Sequence, residues 1–278
     1  MVTDWRFSGR TKDMRLLSIA SGSSGNCIYV GDENTHILID AGISKKRIEE
    51  GLNTIGLTLR DLSAVFVTHE HIDHIGGLGV LTRKCQAPVY ATKGTLNGIF
   101  RTSSLGKLER EQFVEITENQ PVIIGDIQVD PMKISHDAEQ PVAYRFLKQD
   151  KKIAIATDLG VVTEENEEKL KGMDAILLEA NHDVNMLQVG PYPYYLKQRI
   201  LGDRGHLSNE NAGRLLSRIV HDNLKYICLG HLSKENNMPA LAYEAVRLEI
   251  TMGDNPYQAS DFAIDVAQRS TPSKVLVV

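Results

Sequence analysis

Short apolar runs recur along the chain, each closed by a glycine, a proline or a polar residue. Arg15–Ile19, Cys27–Val30, His36–Ile39 and Ala64–Val67 are too short for buried helices and predict strands. Gly31–Asn34 predicts a hairpin turn between the second and third. Ile48 and Leu52 recur at helical spacing between Ser44, a capping residue, and Gly56, a stop. That predicts a helix from Lys45 to about Ile55.

Further along, Gly77–Lys84 and Thr92–Leu105 predict helices on either side of a strand at Pro88–Ala91. Val122–Ile124 and Ile127–Ser135 predict a hairpin, and Pro141–Phe146 with Lys151–Thr157 predict another. A helix at Glu164–Lys171 and a strand at Asp174–Leu178 follow. Asn181–Gly205 holds Pro191, Pro193 and three tyrosines without a period, and predicts irregular chain. Asn209–His221 places Ala212, Leu215, Leu216, Ile219 and Val220 on one side of a helix. Tyr226–Leu229 predicts a strand, Pro239–Thr251 a helix, and the tail strands near Phe262–Val266 and Lys274–Val278.

Hairpins followed by α/β units, twice over, predict an α/β protein. The expected architecture is two mixed β-sheets packed together with helices outside, a four-layer αββα sandwich. No linker or repeat divides the chain, so residues 14–278 are expected to form a single domain. The polar stretch 1–13 is expected to be an N-terminal extension, with Met14 as a natural start.

Composition narrows the class. Hydrophobic residues make up 42% and charged residues 24% of the chain, which fits a soluble globular protein. No apolar run approaches the roughly 18 residues of a membrane span, so no membrane partner is expected. Cys27, Cys85 and Cys228 are scattered and form no CxxC pair, which predicts buried thiols in a reducing cytoplasm. Lys and Arg number 31 against 36 Asp and Glu, a net charge of −5, so the chain as a whole does not attract nucleic acid. Any phosphate must be held by metals or a local basic rim, for which Lys133, Arg145, Lys197, Arg199, Arg204 and Lys234 are candidates.

The densest chemistry lies in Thr68-His69-Glu70-His71-Ile72-Asp73-His74. Imidazole nitrogens and carboxylate oxygens at this density suit zinc, manganese or iron. Other predicted strands end similarly. Asp40 follows Ile37–Ile39, His136 follows Val129–Ser135, and Asp158 follows Ile153–Thr157; Glu179 follows Ile176–Leu178, and His231 follows Tyr226–Gly230. One Asp after a strand is an ordinary turn residue, but this many strand ends suggest one convergent site, because α/β sheets bind ligands beyond the carboxyl ends of their strands. His36 and His221 lack that context, and His182 stays open.

The THEHIDHIGGL stretch resembles the HxHxDH signature of the metallo-β-lactamase superfamily, and His136, Asp158 and His231 follow in the order of its other ligands. The resemblance runs from about Met14 to the C-terminus. It implies two divalent ions per chain: one on His69, His71 and His136, the other on Asp73, His74 and His231, with Asp158 bridging. Asp40 would brace the ligand loop from behind. Mn and Zn, and also Fe, suit that donor set.

The segments around Glu179, His206 and His231-Leu-Ser resemble the tRNA 3′-processing branch, in which Glu and His form a proton relay. Gly22–Asn26, His136-Asp137-Ala and Leu232–Asn237 look closer to the YycJ/WalJ subgroup, associated with 5′-to-3′ exonuclease activity on DNA. The implied enzyme is a dinuclear phosphodiesterase in which a metal-bridged hydroxide attacks phosphorus. Asp73 would orient the nucleophile, and Glu179 and His206 would protonate the leaving oxygen. Ser24, Asn26, Ser208, Asn209 and Lys234 are the expected substrate contacts, and Pro191–Tyr195 could stack bases. DNA is favoured over RNA as the partner. An RNA-processing ribonuclease, or a small-molecule ester, thioester or lactone hydrolase, is the alternative. The interval from Asp158 to His231 is too short for the extra domain of the β-CASP nucleases. Oligomeric state stays open.

Overall fold

The computed structural model describes residues 13–278, so the expected extension lies outside the described residues apart from Asp13. β1 (Arg15–Ala20), β2 (Cys27–Gly31) and β3 (His36–Ile39) run antiparallel, as the turn at 31–34 requires. β4 (Ala64–Phe66), β5 (Val89–Thr92) and β6 (Phe113–Ile116) then add in parallel beyond β3. The second half repeats the plan. β7 (Val122–Ile124), β8 (Ile127–Lys133), β9 (Val142–Lys148) and β10 (Lys151–Ala156) are antiparallel. β11 (Ala175–Glu179), β12 (Tyr226–Gly230) and β13 (Ala263–Val266) follow in parallel. β14 (Leu276–Val277) returns to pair with β1, so each sheet has seven strands among the described residues.

Side-chain alternation explains the stacking. In β3, Leu38 faces one apolar cluster while Ile37 and Ile39 face another, because successive strand residues point to opposite faces. Ile37, Ile39 and Phe66 of the first sheet meet Tyr144, Phe146, Ile155 and Leu177 of the second. Both faces of each central strand are apolar, so both must be covered. α1 (Lys45–Asn53), α2 (Ile72–Ile75), α3 (Leu78–Thr82) and α4 (Lys93–Arg101) fall beside the first sheet. Ile48, Leu52, Leu78, Leu81, Leu96 and Ile99 close its outer face. After β10 come α5 (Glu164–Leu170), α6 (Val184–Val189), α7 (Tyr194–Leu201), α8 (Asn209–Ile219) and α9 (Pro239–Met252). Leu170, Leu215, Leu216, Val246 and Ile250 cover the outer face of the second sheet. The result is the expected αββα sandwich.

Some local readings change. Residues 181–205 carry two short helices, α6 and α7, instead of irregular chain. α7 has no buried residue, so it writes no apolar stripe into the sequence. β6 was not anticipated: it is an edge strand with Val114 and Glu115 exposed, which erases the two-residue alternation. The 77–84 helix is the shorter α3, with α2 formed inside the histidine motif. Among the described residues no helix is long and apolar enough to cross a membrane.

Candidate metal centre

The ends of β3, β4, β10, β11 and β12 meet at one edge of the sandwich, and the turn between β8 and β9 joins them. Asp40, Asp158 and His231 all have left-handed backbone, at φ of 60°, 61° and 55°. Such a conformation costs a non-glycine residue about 1 kcal/mol or more, although Asp and His tolerate it better than most. Three of the five such residues among the described residues sit here. The sharp turn ends each strand at the residue whose side chain enters the cluster.

The first connection also needs Gly42. A Cβ there would lie 1.6 Å from the Asp73 carbonyl oxygen, so no other residue lets the chain after Asp40 lie flush against the histidine motif. Backbone bonds from Asn26 to Asp73 and from Ala41 to His74, each 2.8 Å, seal the two segments together.

Within this frame the ligand-capable side chains fall into groups. His69, His71 and His136 offer donor atoms within 4.8 Å of one another, and so do Asp73, His74 and His231. Asp158 lies between them: its Oδ2 is 3.3 Å from His74 Nε2, and its Oδ1 is 3.5 Å from His231 Nε2 and 3.7 Å from His136 Nε2. His136 Nε2 and His71 Nδ1 face each other at 3.3 Å. His69 Nε2 and Asp158 Oδ2 are buried without a hydrogen-bond partner. Buried polar atoms left unpaired in this way are costly, and a divalent cation on mixed N/O donors would satisfy them. The residues therefore fit a metal.

The rings are aimed from behind. Asp40 Oδ2 lies 2.7 Å from His74 Nδ1, and Thr68 donates its backbone N–H (2.8 Å) to Oδ1 of the same carboxylate. The Gly205 carbonyl, 3.1 Å away, accepts from His136 Nδ1. The Asp40 and Gly205 contacts each commit one ring nitrogen and turn the other into the cluster, and Thr68 holds Asp40 in place. Asn26 Nδ2 lies 3.1 Å from His74 Nε2, so this expected substrate contact is seated against a candidate ligand ring.

Glu179 is fully buried. Its Oε1 lies 2.8 Å from His206 Nδ1 and 2.9 Å from His231 Nδ1, while Oε2 accepts the N–H groups of Leu159 and Leu207. Burial pushes its carboxyl up, but the neighbouring His206 charge and hydrogen bonds from both rings bring it down to about 2. For His231 burial is outweighed by Asp158, with hydrogen bonds to Asp73 and Glu179, and its pKa rises to about 10. For His206 burial is likewise outweighed, chiefly by Glu179, and its pKa is raised. Asp40, Asp73, Asp158 and Glu179 bring four carboxylates to the histidine cluster, a donor set suited to cations.

A cavity of about 170 Å³ opens beside His206, with Ser23, Asn181 and Ser233 on one side and Tyr192, Leu196 and Arg199 of the α6–α7 segment on the other. Of the two expected proton donors only His206 lines it. Glu179 is covered and touches the cavity only through His206. Ser208 and Asn209 are also covered. Ser208 Oγ caps α8 at Asn211, and the Asn209 amide is spent on Asn237. Ser24 and Lys234 are exposed. Arg145 is drawn away by Asp130, whereas Arg199 pairs with Asp137 at the site. Sequence reasoning missed Thr68, Asp137, Asn181 and Arg269. Arg269 reaches the exposed Ser23 and Ser24 from the far end of the chain, 3.5 and 3.4 Å away. Asn181 and Arg269 carry no motif, but Thr68 and Asp137 flank His69 and His136, and that adjacency was the available signal. His182 is buried and lies outside the ligand groups.

The model of the beta-lactamase superfamily domain matches residues 35–227. The chain is 42% identical to the exodeoxyribonuclease YycJ of Bacillus anthracis over 228 residues, 82% of this chain and 86% of that one. It is 41% identical to the exodeoxyribonuclease WalJ of Streptococcus pneumoniae over 236 residues, 85% of this chain and 88% of that one. Among solved structures, Zn²⁺-bound PqqB from Methylobacterium extorquens superposes with a TM-score of 0.68 at 16% identity, covering 94% of this chain and 99% of that chain.

Proposed function

Since the chain belongs to the metallo-β-lactamase superfamily of hydrolases, we propose that it is a metal-dependent phosphodiesterase that degrades DNA from the 5′ end. The likeness to two exodeoxyribonucleases supports the substrate. One observation supports the chemistry: His206, which lines the cavity, and His231, in the ligand cluster, are held by the same oxygen of buried Glu179.

His69, His71 and His136 would hold one divalent ion, and Asp73, His74 and His231 a second, with Asp158 shared. Bound there, Mn, Zn or Fe would supply Lewis acidity at the phosphoryl oxygens and make a coordinated water acidic enough to be a nucleophile near neutral pH. Asp73 is the more solvent-open of the two candidate ligand carboxylates, 21% exposed against 2% for Asp158, which supports assigning it to orient that water. Glu179 raises the His206 pKa, which favours the protonated ring, and engages its Nδ1, which leaves Nε2–H to meet the leaving oxygen. A ring that arrives charged can also offset the charge that builds on that oxygen.

The test offers metal-replete protein end-labelled DNA and RNA beside a thioester and a lactone. Stepwise release of nucleotides from the 5′ end of DNA is expected. Hydrolysis of the acyl substrates alone would replace this reading with a small-molecule hydrolase.

A further inference from the structure

α7 presents a physical puzzle. Short helices in water depend on tertiary packing of an apolar face, yet none of its side chains is buried. Tyr194 and Tyr195, at its start, are 76% and 74% exposed. Large aromatic rings held in water at adjacent positions lose hydrophobic stabilisation that a bound partner would restore.

Charge and position identify the partner. Residues 184–202 contain no Asp or Glu, in a chain whose net charge is −5, while Lys197 and Arg199 lie within the helix. Tyr195 lies one turn before Arg199, hence on the same side of α7. Arg199, Leu196 and the preceding Tyr192 line the cavity that opens on His206. A segment bearing aromatic rings and cations and no acid of its own therefore borders the cavity that leads to the centre, where Arg199 meets Asp137 on the cavity wall. Aromatic platforms beside positive charge fit unpaired bases on a phosphate backbone, since every base offers a π-face.

We propose that α7 and the Tyr192–Tyr195 approach to it form the binding platform for the unpaired end of a nucleic-acid strand. Tyr194 and Tyr195 stack its bases as the backbone is led toward the metal centre. This rests on the phosphodiesterase reading of that centre and adds how the strand is held. The ion pair of Arg199 with Asp137, the residue after His136, ties the platform to the ligand set.

The test compares the metal-replete wild type with Tyr194→Ala/Tyr195→Ala and Tyr194→Phe/Tyr195→Phe. Anisotropy of a labelled single-stranded oligonucleotide reads binding, and KM and kcat on that strand read turnover. The alanine pair is expected to weaken binding and raise KM about ten- to a hundredfold, with kcat changed far less. The phenylalanine pair keeps the π-faces and is expected to bind like wild type. Both rings are largely exposed, so thermal midpoints should not move. Oligonucleotide binding and KM unchanged in the alanine pair would overturn the platform. Bis(4-nitrophenyl) phosphate reports on the centre separately. If the wild type hydrolyses it but the alanine pair handles DNA normally, only the platform fails; if the wild type hydrolyses neither it nor DNA, the phosphodiesterase reading fails and takes the platform with it.

Discussion

His206 and His231 share one carboxylate oxygen: Glu179 Oε1 lies 2.8 Å from the first ring and 2.9 Å from the second. One ring borders the cavity and the other belongs to the ligand cluster, so a single buried charge fixes both. Changing that charge should alter proton delivery and, less strongly, metal affinity.

Glu179→Gln keeps the shape but removes the charge that raises the His206 pKa. The protonated, donating form persists below the raised pKa and is lost above it. In the variant the loss should come at lower pH, so the alkaline limb of kcat shifts to lower pH and kcat falls about 10²-fold or more. A pH–rate profile of metal-replete protein checks this, and an unmoved alkaline limb would count against the relay.

His206→Ala should separate proton delivery from metal binding. Turnover of DNA is expected to fall about 10²–10⁴-fold while metal content holds. A substrate with 4-nitrophenolate as its leaving group needs little protonation and should lose much less. Equal losses on both substrates, or loss of metal, would assign His206 another task.

Asp40→Asn should leave the fold intact, because Asn tolerates the left-handed backbone at φ of 60°. The carboxylate that fixes the His74 tautomer, 2.7 Å from Nδ1, is lost. Metal affinity is expected to fall about 10–100-fold, read by competition with a chromogenic chelator.

Asp32 and Lys148 form an ion pair with 1% and 6% of their side chains exposed. Burial raises the Asp32 pKa, but the hydrogen bonds from Lys148, Asn34 and Thr35 lower it on balance. A depressed folded pKa means the stabilisation is present above the unfolded value of about 4 and is lost as pH falls below it. Asp32→Asn should cost about 3 kcal/mol near neutral pH, less where Asp126 compensates Lys148, and should flatten the acid limb of stability. Chemical denaturation at pH 7 and pH 3 checks both.

The sandwich was legible because its central strands are short, apolar and bounded by turns, and the clustering of the candidate ligands because each sits where such a strand stops. His69–His74 lies within one motif, and His136, Asp158 and His231 repeat the strand-end position. Glu179 and His206 could be placed near the site, but their division of labour could not: only burial shows that Glu179 is covered while His206 meets the cavity. Ser208 and Asn209 suggest phosphate contacts because a cap and a binding loop use the same residue types, and that their side chains are covered is visible only in the structure. Arg269 and the exposed helix α7 were invisible for another reason. Their positions depend on long-range packing and leave no period in the chain.

The central claim, that the clustered side chains form a dinuclear centre on which hydrolysis depends, is tested most directly by counting metal and activity together. Chelator-stripped protein is titrated with Mn²⁺ or Zn²⁺ while bound ion and DNA cleavage are followed. Two ions per chain are expected, with activity that rises with their uptake, and both are lost in His69→Ala/His74→Ala with the fold retained. Full cleavage by the stripped protein, or undiminished metal uptake by that double variant, would contradict the claim.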